Sequence, residues 1–488
     1  MPIAPAGLRS EVEALLRVGG RMQMVYCWYP EPATLELRYL AEGAEGQGFV
    51  MWQCHPGEEM PSLAEVSPLL SSYEREITDL FGLRFSGQPQ PERLVLHEGI
   101  PEVVPPFSPA YRGESLVPHG YERHRTPPID NPDVQLLPFG PVRAGVQESA
   151  EFLFFYLGER IIYYQPSLFF KHRGMEKRFE GRSPDLAAVV AERVSCVGSF
   201  AHALAYCQAI EAAAGVSVPP RARHLRVLLA ELERLYNHLH YLGFLSHTTT
   251  LNVGHAEGSL LEEYVKQING RLTGSRFLRS VLTPGGLRRD LDPKPWLAEA
   301  LTSLKKEVAR YTHMLEYSES HLDRLITNGP LPMATVIDEG ATGPIARGSG
   351  LARDLRRDHP YAAYGELSFE VPVEQACDGE ARQKVRIAEI GVSFTLIERA
   401  LESLPDDPVY EPTRPAAGSE GLGWAESPRG ALFYAVHIGS DGRLARVKIA
   451  SPSFSNWRVF PFTVHESNMM DYAINEASFG LTIAGCDR

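Results

Sequence analysis

The sequence predicts an α+β fold, in which a small α/β domain precedes a larger, mainly helical domain with short peripheral strands. Three observations support this prediction. Residues 1–100 contain short strand-like segments between turn residues, residues 101–141 are rich in proline, and residues 183–403 show long apolar repeats at helical spacing. We therefore expect a domain over residues 1–100, a linker over residues 101–134 and a second domain over residues 135–488.

The elements of the first domain are predicted from apolar segments that glycine- and proline-bearing turns separate. Short strands are expected at residues 24–28, 34–39 and 49–54. Residues 64–82 end the domain with a helix, because Tyr73, Ile77 and Leu80 fall at helical spacing. Gly82 suits the C-terminal cap of that helix, where a left-handed backbone favours glycine.

The linker is predicted from its proline content. Residues 101–141 hold ten prolines in 41 positions. Proline lacks an amide donor and restricts φ, so this stretch is expected to form neither a helix nor the interior of a sheet. Its aromatic residues indicate that it lies along a surface of the protein rather than floating free, and they are Phe107, Tyr111 and Tyr121.

The second domain begins with a predicted hairpin and continues with long helices. Residues 151–168 form two short strand patterns around Gly158. Ser183-Pro184 is expected to open a helix that runs to about residue 214, and Pro219-Pro220 to open a second one. Further helices are predicted at residues 256–280, 294–326 and 383–403. Residues 430–486 are expected to return to short strands and turns.

Composition excludes several classes of function. A content of 44% hydrophobic and 22% charged residues is typical of a globular protein. The net charge of −13 argues against sequence-independent nucleic-acid binding and against adhesion to an anionic membrane by charge alone. No apolar run is long enough to predict a transmembrane helix. Charged residues near the N-terminus, including Arg9 and Glu11, argue against a signal peptide.

Several sites that bind metals or nucleotides are also not predicted. The six cysteines are scattered without a Cys-x-x-Cys pair, so neither a disulfide framework nor a self-contained cysteine metal site is expected. Gly285-Gly286 and Gly348-Ser349-Gly350 lack the strand–GxGxxG–helix pattern that holds a dinucleotide phosphate. A nicotinamide site on this chain is therefore not supported.

Residues 1–100 resemble the small hydrophilic subunit of respiratory complex I that flanks the quinone-site subunit. The resemblance is carried by the run from Tyr73 to Gly82, which reads Tyr-Glu-Arg-Glu-Ile-Thr-Asp-Leu-Phe-Gly, and by Pro89 and Arg93. Residues 135–488 resemble the quinone-site subunit itself. They resemble still more the large subunit of membrane-bound nickel–iron hydrogenases of the formate hydrogenlyase and hydrogenase-4 type, in which the same two parts are fused in the same order.

The second resemblance depends on the order and spacing of several motifs rather than on any one of them. The motifs are Phe139-Gly140-Pro141, the run from Lys171 to Lys177, the run from Glu233 to His238, the run from Leu272 to Arg276, the run from Pro284 to Asp290, Gly343-Pro344, the run from Arg347 to Gly350, the run from Arg353 to Arg356, and Ser427-Pro428-Arg429-Gly430. The resemblance implies a mainly helical fold like that of a nickel–iron hydrogenase large subunit, with peripheral short strands.

The nickel ligands of that family are not retained. The family holds nickel with two Cys-x-x-Cys pairs, because soft thiolates bind nickel and iron at one site. Residues at the four matching positions are Ser195, Gly198, Thr482 and Gly485, and Cys196 and Cys486 are each displaced from a ligand position. We therefore predict no metal site on this chain and no hydrogenase activity.

The quinone-binding residues of complex I are not retained either. The resemblance places a Tyr of the quinone site at Cys196 and a His of that site at Gln147. Quinone reduction by the complex I mechanism is therefore not supported, although a quinone bound in an altered mode stays open as a cofactor. We expect Cys196 to be a buried, inert thiol.

The charged motifs that are retained admit two interpretations each. The run from Lys171 to Lys177 is either a solvated turn or, as the resemblance implies for Arg173 and its neighbour His172, a surface near an iron–sulfur cluster of the partner subunit. His247 is either a core or capping histidine or a residue of the degenerate cavity. The groups at residues 288–290 and 353–356 are expected to be structural ion-pair networks.

The predicted function is that of a peripheral-arm subunit in a membrane-bound oxidoreductase related to complex I. The resemblance implies an iron–sulfur small subunit, a ferredoxin-like iron–sulfur subunit and membrane-arm subunits as partners, with a formate or other dehydrogenase as a further candidate. It places the chain on the cytoplasmic side of the inner membrane, with the iron–sulfur cluster in the adjacent subunit. A quinone reductase with a rebuilt site and a non-redox structural scaffold are the alternatives.

Overall fold

The computed structural model describes residues 1–44, 46–97, 99–100, 104–113, 129–143 and 148–488. Its N-terminal part is built on a three-stranded antiparallel sheet, with β2 between β1 and β3. The elements are α1 (Pro5–Arg17), β1 (Arg21–Glu31), β2 (Thr34–Glu42), β3 (Phe49–Cys54), β4 (Glu59–Pro61), α2 (Leu69–Phe81) and β5 (Arg84–Ser86). The three predicted strands are confirmed, and so is the end of the helix at Gly82, where φ is 79° and the amide donates to the Thr78 carbonyl.

The proline-rich stretch lies against the protein where the structure describes it. Phe107 is buried and stacks on Phe81 of α2, with ring centroids 5.0 Å apart and an interplanar angle of 6°. Tyr111 is half-buried, and Tyr121 lies outside the described residues. The predicted packing of this stretch along the protein is thus confirmed at Phe107.

A second three-stranded antiparallel sheet follows the linker. It consists of β6 (Gln135–Phe139), β7 (Glu151–Leu157) and β8 (Arg160–Ser167), in that order. β6 contains Pro138 and forms the edge of the sheet, where a missing amide donor costs no ladder hydrogen bond. The predicted hairpin around Gly158 is confirmed, with φ of 63° at that glycine.

Helices form most of the second part. They are α3 (Pro184–Ala191), α4 (Ser199–Ala214), α5 (Pro220–Thr248), α6 (Asn252–Thr273), α7 (Trp296–Glu316), α8 (Glu319–Leu325), α9 (Met333–Asp338), α10 (Gly343–Arg347), α11 (Leu355–Asp358) and α12 (Gly379–Glu402). At about 1.5 Å per residue, the 29 residues of α5 span roughly 43 Å. α5 is buried on nearly all sides and packs against α6 and α12 at the centre of the helical part.

The predicted helix from Ser183-Pro184 to residue 214 is wrong as a single element. The helix begins at Pro184 as expected, but it ends at Ala191, and a 3-10 turn at Cys196–Gly198 precedes α4. The predicted helix at residues 256–280 ends at Gly274, with φ of 76°, and the one at residues 294–326 is interrupted at Tyr317. A short two-stranded ribbon of β9 (Leu282–Thr283) and β10 (Gly286–Leu287) lies between α6 and α7.

The C-terminal region combines strands and short helices. β11 (Glu420–Ser427), β12 (Gly430–Ile438) and β13 (Leu444–Ala450) form an antiparallel sheet that packs on α4. The contact is so close that a Cβ at Gly423 would lie 2.1 Å from the Ala205 carbonyl oxygen of α4. The expectation of strands and turns to residue 486 is wrong beyond residue 450, because the chain continues as α13 (Pro452–Asn456), a 3-10 turn at Phe460–Thr463, α14 (Tyr472–Phe479) and α15 (Ile483–Asp487).

The N-terminal and helical parts share a buried interface. Glu76 of α2 accepts hydrogen bonds from Lys448 of β13 at 2.7 Å and from Arg488 at 3.0 Å, and all three side chains are buried. Tyr26 of β1 pairs with His437 of β12 at 3.0 Å. The division into domains at residues 1–100 and 135–488 stays a prediction, and these contacts show how the two parts meet. None of the helices in the described residues is long and apolar enough to cross a membrane.

Candidate functional site

The segment between α3 and α4 departs from helical geometry between two carboxylates that accept hydrogen bonds from backbone amides, one from the segment itself and one from α5. Glu192 accepts a hydrogen bond from the Ser280 amide at 2.6 Å, after α3 has ended. Glu233, from the middle of α5, accepts from the Phe200 and Ala201 amides at 2.7 and 2.9 Å and so caps α4. Burial raises the pKa of Glu233 to about 7. Residues 192–198 are therefore held as a loop at the surface end of α4.

Cys196 is exposed in this loop, which contradicts the expectation of a buried thiol. The neighbouring Ser195 and Gly198 are buried, so the loop turns Cys196 outward while the flanking residues face the interior. A short 3-10 turn begins at Cys196 and accounts for this alternation.

The second segment of the site is α15, near the other predicted ligand positions. Thr482 caps this helix, and its Oγ1 accepts from the Gly485 amide at 3.2 Å. Glu148 adds a carboxylate at the same helix end, accepting from the Ile483 and Ala484 amides. Cys486 follows on the inner side of the helix and is buried.

Arg173 joins the two segments. Its guanidinium donates to the Arg193 carbonyl at 2.9 Å and to the Val194 carbonyl at 2.6 Å, both at the start of the loop before α4. It also donates to the Ala484 carbonyl of α15 at 3.1 Å. Arg173 thus binds three backbone carbonyls in two distant segments and holds these segments together. A side chain in a solvated turn would not make such contacts.

The other predicted site residues are only partly brought together. His172 is exposed next to Arg173, and its Nδ1 pairs with the Asp487 carbonyl at 2.7 Å. His247 is an exposed residue at the end of α5, where its ring lies 4.9 Å from that of His255, so it is not a core histidine. Gln147 lies outside the described residues.

His247 is separated from the loop before α4 by a length of helix. Asn237 of α5 donates to the Val197 carbonyl in that loop at 2.7 Å. His247 follows ten residues later on the same helix, which corresponds to roughly 15 Å of axial rise. The structure therefore groups Arg173, His172 and Cys196 but leaves His247 apart from them.

Sequence reasoning missed a set of polar residues behind the loop. Arg429 donates to Asn237 Oδ1 at 2.8 Å and to the Gly480 carbonyl at 2.8 Å. Tyr236 donates to the Val197 carbonyl at 3.0 Å. These residues belong to the motifs at residues 233–238 and 427–430, which signalled the resemblance, but no role was assigned to them. They connect the loop, α5, β11 and α14 beneath the predicted ligand positions.

The residues present do not fit a nickel–iron group. A Cβ at Gly485 would lie 2.5 Å from Thr482 Oγ1, so the helix cap occupies the space that a cysteine side chain there would need. Cys196 points to solvent and Cys486 points into the core, so the two thiols do not face one site. Among the described residues, no group of three or more His, Cys, Asp or Glu side chains is arranged to hold a metal ion.

The charged groups outside the site form ion pairs and hydrogen bonds as expected. Asp354 and Arg356 belong to a buried network in which Arg356 contacts Asp354 at 2.6 Å and Glu231 at 3.1 Å. Asp290 pairs with Arg221 at 2.9 Å, and Arg288 donates to the Leu282 carbonyl at 3.1 Å.

Three family models match this chain over separate segments. The 30 Kd subunit of respiratory-chain NADH dehydrogenase matches residues 10–115. The 49 Kd subunit of the same enzyme matches residues 261–419 and 411–488. The model of nickel-dependent hydrogenases matches residues 173–265, which include Arg173 and the loop before α4.

Curated relatives align with most of this chain. Formate hydrogenlyase subunit 5 of Escherichia coli is 32% identical over 433 residues, covering 85% of this chain and 74% of the relative. Hydrogenase-4 component G of the same organism is 30% identical over 425 residues, covering 85% and 73%. The C/D subunit of NADH-quinone oxidoreductase from Gluconacetobacter diazotrophicus is 28% identical, and the match covers 100% of this chain and 91% of the relative.

A solved structure shares the fold. A chain of the membrane-bound sulfane sulfur reductase, an archaeal respiratory membrane complex, superposes with a TM-score of 0.69 at 26% identity. The match covers 74% of this chain and 100% of that chain. The proteins similar to this chain thus include part of a respiratory membrane complex as well as hydrogenase and quinone oxidoreductase subunits.

Proposed function

This chain belongs to the family of fused complex I-type subunits that includes formate hydrogenlyase subunit 5, and we propose that it packs an iron–sulfur subunit against an ion-translocating membrane arm. It is a peripheral subunit of a complex I-related oxidoreductase. In the proposed arrangement, the clusters lie in the partner subunits, and this chain supplies the surface and the electrostatic environment next to one of them.

The main support for this proposal is that the residues that hold the site together are retained, whereas the residues at the ligand positions are not. Arg173 still ties the loop before α4 to α15, the two segments that carry the thiolates in hydrogenases. Arg429 and Asn237 still support that loop from behind. The thiolate positions themselves are filled by Ser195, Gly198, Thr482 and Gly485. A framework kept in this way supports a role in assembly and electron transfer rather than hydrogen chemistry.

The proposed partner-facing surface lies on α3 and the loop that follows it. Leu186 is 68% exposed on α3, and Arg193 is exposed in the loop that follows this helix. Cys196 is exposed just beyond it. Arginine is enriched at protein interfaces, and we propose that another protein covers this surface. His172 and Arg173 border this surface.

Isolation of the intact complex tests the proposal. We expect a tag on this chain to recover an iron–sulfur small subunit, a ferredoxin-like subunit and membrane proteins in fixed ratio. Elemental analysis of that complex should show iron without nickel, because the thiolate positions are lost. About one nickel per chain would contradict the proposal, whereas a fixed complex without any iron would indicate the non-redox scaffold.

A pair of surface variants tests the partner-facing surface itself. Leu186→Glu places a charge in the proposed interface and should lose the iron–sulfur subunit, since burying an unpaired charge costs several kcal/mol. Leu260→Glu changes a residue that is 49% exposed on α6 and serves as the matched control. Both chains should keep the melting temperature of the wild type. Retention of the iron–sulfur subunit by Leu186→Glu would place the interface elsewhere.

Membrane association and the electron donor follow from the same proposal. The chain is expected at the cytoplasmic face of the inner membrane, held there by its partners. A formate or other dehydrogenase is proposed as the electron source, and a quinone as one candidate acceptor. Inhibition of electron-transfer activity by a quinone analogue, lost on changing residues around Arg429, would support the rebuilt quinone site as the acceptor site.

A further inference from the structure

A buried cluster of charges lies between α5, α10, α11, α12 and β11. We call it the carboxylate network, and all of its side chains are at most 4% exposed. Its members are Glu231, Arg234, His238, Arg347, Asp354, Arg356, Glu389 and Glu426. Four carboxyl groups thus share three guanidinium groups and one imidazole. Fully ionised carboxylates would leave an excess negative charge in the interior, which is strongly disfavoured unless one of them holds a proton.

The contacts show which carboxyl group is least compensated. Glu231 and Asp354 each contact two guanidinium groups. Glu389 contacts Arg347 at 2.6 Å and His238 at 2.7 Å. In the described part of the chain, Glu426 is within salt-bridge distance of one cation, Arg347, at 2.9 Å. Glu426 is therefore the carboxyl group of the network that most favours its neutral form.

The other side chains that border the network do not supply the missing positive charge, and Arg21, across the cavity, is paired with Glu42 at 3.5 Å. His238 is buried beside Glu389, and burial lowers its pKa to about 4, so the imidazole is neutral near pH 7. Arg382 and Arg386 lie near α14, where they donate to backbone carbonyls and to Ser478. The Tyr361 and Tyr364 hydroxyls border the network as neutral groups, bonded to the Glu426 amide and to Glu231.

Glu426 also lines a cavity that reaches the N-terminal part. The cavity has a volume of about 20 Å³, room for about one water molecule, and Asp354 lines the same wall as Glu426. The other charged and polar side chains around it are Arg21, Gln23, Glu42, Thr342, Arg353 and Asp358. Thr342 Oγ1 is buried there without a hydrogen-bond partner in the structure, and Arg21 Nε makes no hydrogen bond although it lies 3.5 Å from Glu42 Oε2. Unpaired polar atoms in a space of this size are typical of a cavity that holds water.

We propose that Glu426 is a proton-exchanging carboxyl group, which takes up and releases a proton through water in this cavity between the N-terminal part and the carboxylate network. The reaction is protonation alone, with water in the cavity as donor and acceptor of the proton. Burial and the neighbouring Asp354 raise the pKa of Glu426 to about 7, in agreement with the contacts. Glu426 lies three residues before Arg429 in the sequence, so a change in the charge of Glu426 occurs close to the candidate site.

Infrared spectroscopy of the full-length chain tests this proposal. We expect a carbonyl-stretch band of a protonated carboxylic acid at about pH 5 that is lost by about pH 9. The band should be absent from Glu426→Gln, which keeps the shape of the neutral group, and should shift when the buffer is exchanged for deuterium oxide. Other buried carboxyl groups, such as Glu233, cancel in the difference between wild type and variant. A band that is unchanged in Glu426→Gln, or that does not exchange, would overturn the proposal.

A second variant keeps the proposal testable where Glu426→Gln does not fold. Arg21→Gln removes a cation from the cavity wall. It should raise the pH at which the band disappears, because a nearby cation stabilises the ionised form of Glu426. Arg17→Gln removes an exposed cation at the end of α1 and is the matched control, with no change expected. An unchanged midpoint in Arg21→Gln would show that the proton is held away from the cavity.

Discussion

Thr482 and Gly485 are packed so closely that a Cβ at Gly485 would lie 2.5 Å from Thr482 Oγ1. The reason is the helix cap, in which Thr482 Oγ1 accepts from the Gly485 amide at 3.2 Å. The two positions at which the resemblance predicts a thiolate pair are thus joined by a hydrogen bond in this chain. The local structure at this helix end needs glycine at the second position.

The first prediction concerns Gly485→Ala. The added methyl group must displace Thr482 Oγ1 and weaken the cap, so we expect a loss of about 1–2 kcal/mol in the free energy of unfolding. Gly391→Ala at an exposed position of α12, where nothing lies within 4 Å of the new Cβ, should instead be neutral or stabilising by up to about 1 kcal/mol. Urea titrations followed by circular dichroism measure both.

A double-mutant cycle checks the cause. In a Thr482→Ala background the cap is already absent, so Gly485→Ala should cost less than it does in the wild type. Equal costs in the two backgrounds would mean that Thr482 does not restrict this position.

The second prediction concerns pH and Glu176. Burial disfavours its carboxylate, but Lys448, Arg446 and Arg488 outweigh burial and lower the pKa of Glu176 to about 2. The folded pKa is below the unfolded value of 4.5, so the stabilisation is present above that pH and is lost as the pH falls toward 2. Glu176→Gln should therefore lower the free energy of unfolding by roughly 3–5 kcal/mol at neutral pH.

The same variant has a defined pH dependence and a matched control. The difference between wild type and Glu176→Gln should shrink as the pH falls below about 4.5, because the wild-type carboxylate then becomes protonated during unfolding. Glu180→Gln breaks a partly exposed pair with Lys177 and should cost under about 1 kcal/mol. A difference that stays constant down to pH 3 would show that Glu176 does not act through its charge.

Elements with a strong local pattern could be predicted from the sequence. β3 was expected at residues 49–54 and is observed at Phe49–Cys54, and α5 begins at Pro220, directly after the expected cap. The break between α3 and α4 could not be predicted, because its causes are distant in sequence. Glu233 caps α4 from 33 residues away. Because the capping carboxylate is distant in the sequence, the residues next to the helix end show no local pattern that would predict the cap.

The assignment of the candidate site residues stays a prediction. Arg173 and the loop before α4 meet in the structure, and both lie in segments that the sequence motifs singled out. The predicted burial of Cys196 was wrong. The sequence predicted a continuous helix here, whereas the chain forms a short 3-10 turn in which buried and exposed residues alternate. His247 was grouped with the site on an uncertain spacing, and the straight length of α5 separates it from Cys196.

The third prediction concerns the two proposed folding units. Cleavage near residues 123–125 should leave residues 1–100 docked on the remainder, because Glu76 is buried with Lys448 and Arg488 across the interface. The cut chain should therefore elute as one species in size-exclusion chromatography. Glu76→Gln should weaken this docking and favour separation of the fragments, since Lys448 and Arg488 then share Glu176 as their remaining carboxylate partner.

An exposed glutamate provides the control for that experiment. Glu65→Gln changes a side chain that is 67% exposed and should leave the fragments together. Aggregation of both fragments after cleavage would show that the two parts do not fold as separate units.

The last prediction separates the structural and electrostatic roles of Arg173. Its guanidinium binds three carbonyls from two segments, so both Arg173→Met and Arg173→Lys should lower the melting temperature of the chain. Only Arg173→Met removes the charge. If the partner's cluster lies close by, that loss should lower its midpoint potential, because a cation favours the reduced, more negative cluster.

The expected shift follows from an interaction of about one to two kcal/mol after partial solvation. A one-electron couple changes by about 59 mV for each ~1.4 kcal/mol, so Arg173→Met should lower the potential by several tens of millivolts. Arg173→Lys should stay near the wild-type value, and Arg182→Met, at an exposed position, is the control. The measurement is a redox titration by electron paramagnetic resonance on the assembled complex. An unchanged midpoint potential in an assembled Arg173→Met complex would show that Arg173 only connects the loop to α15 and does not lie near the cluster.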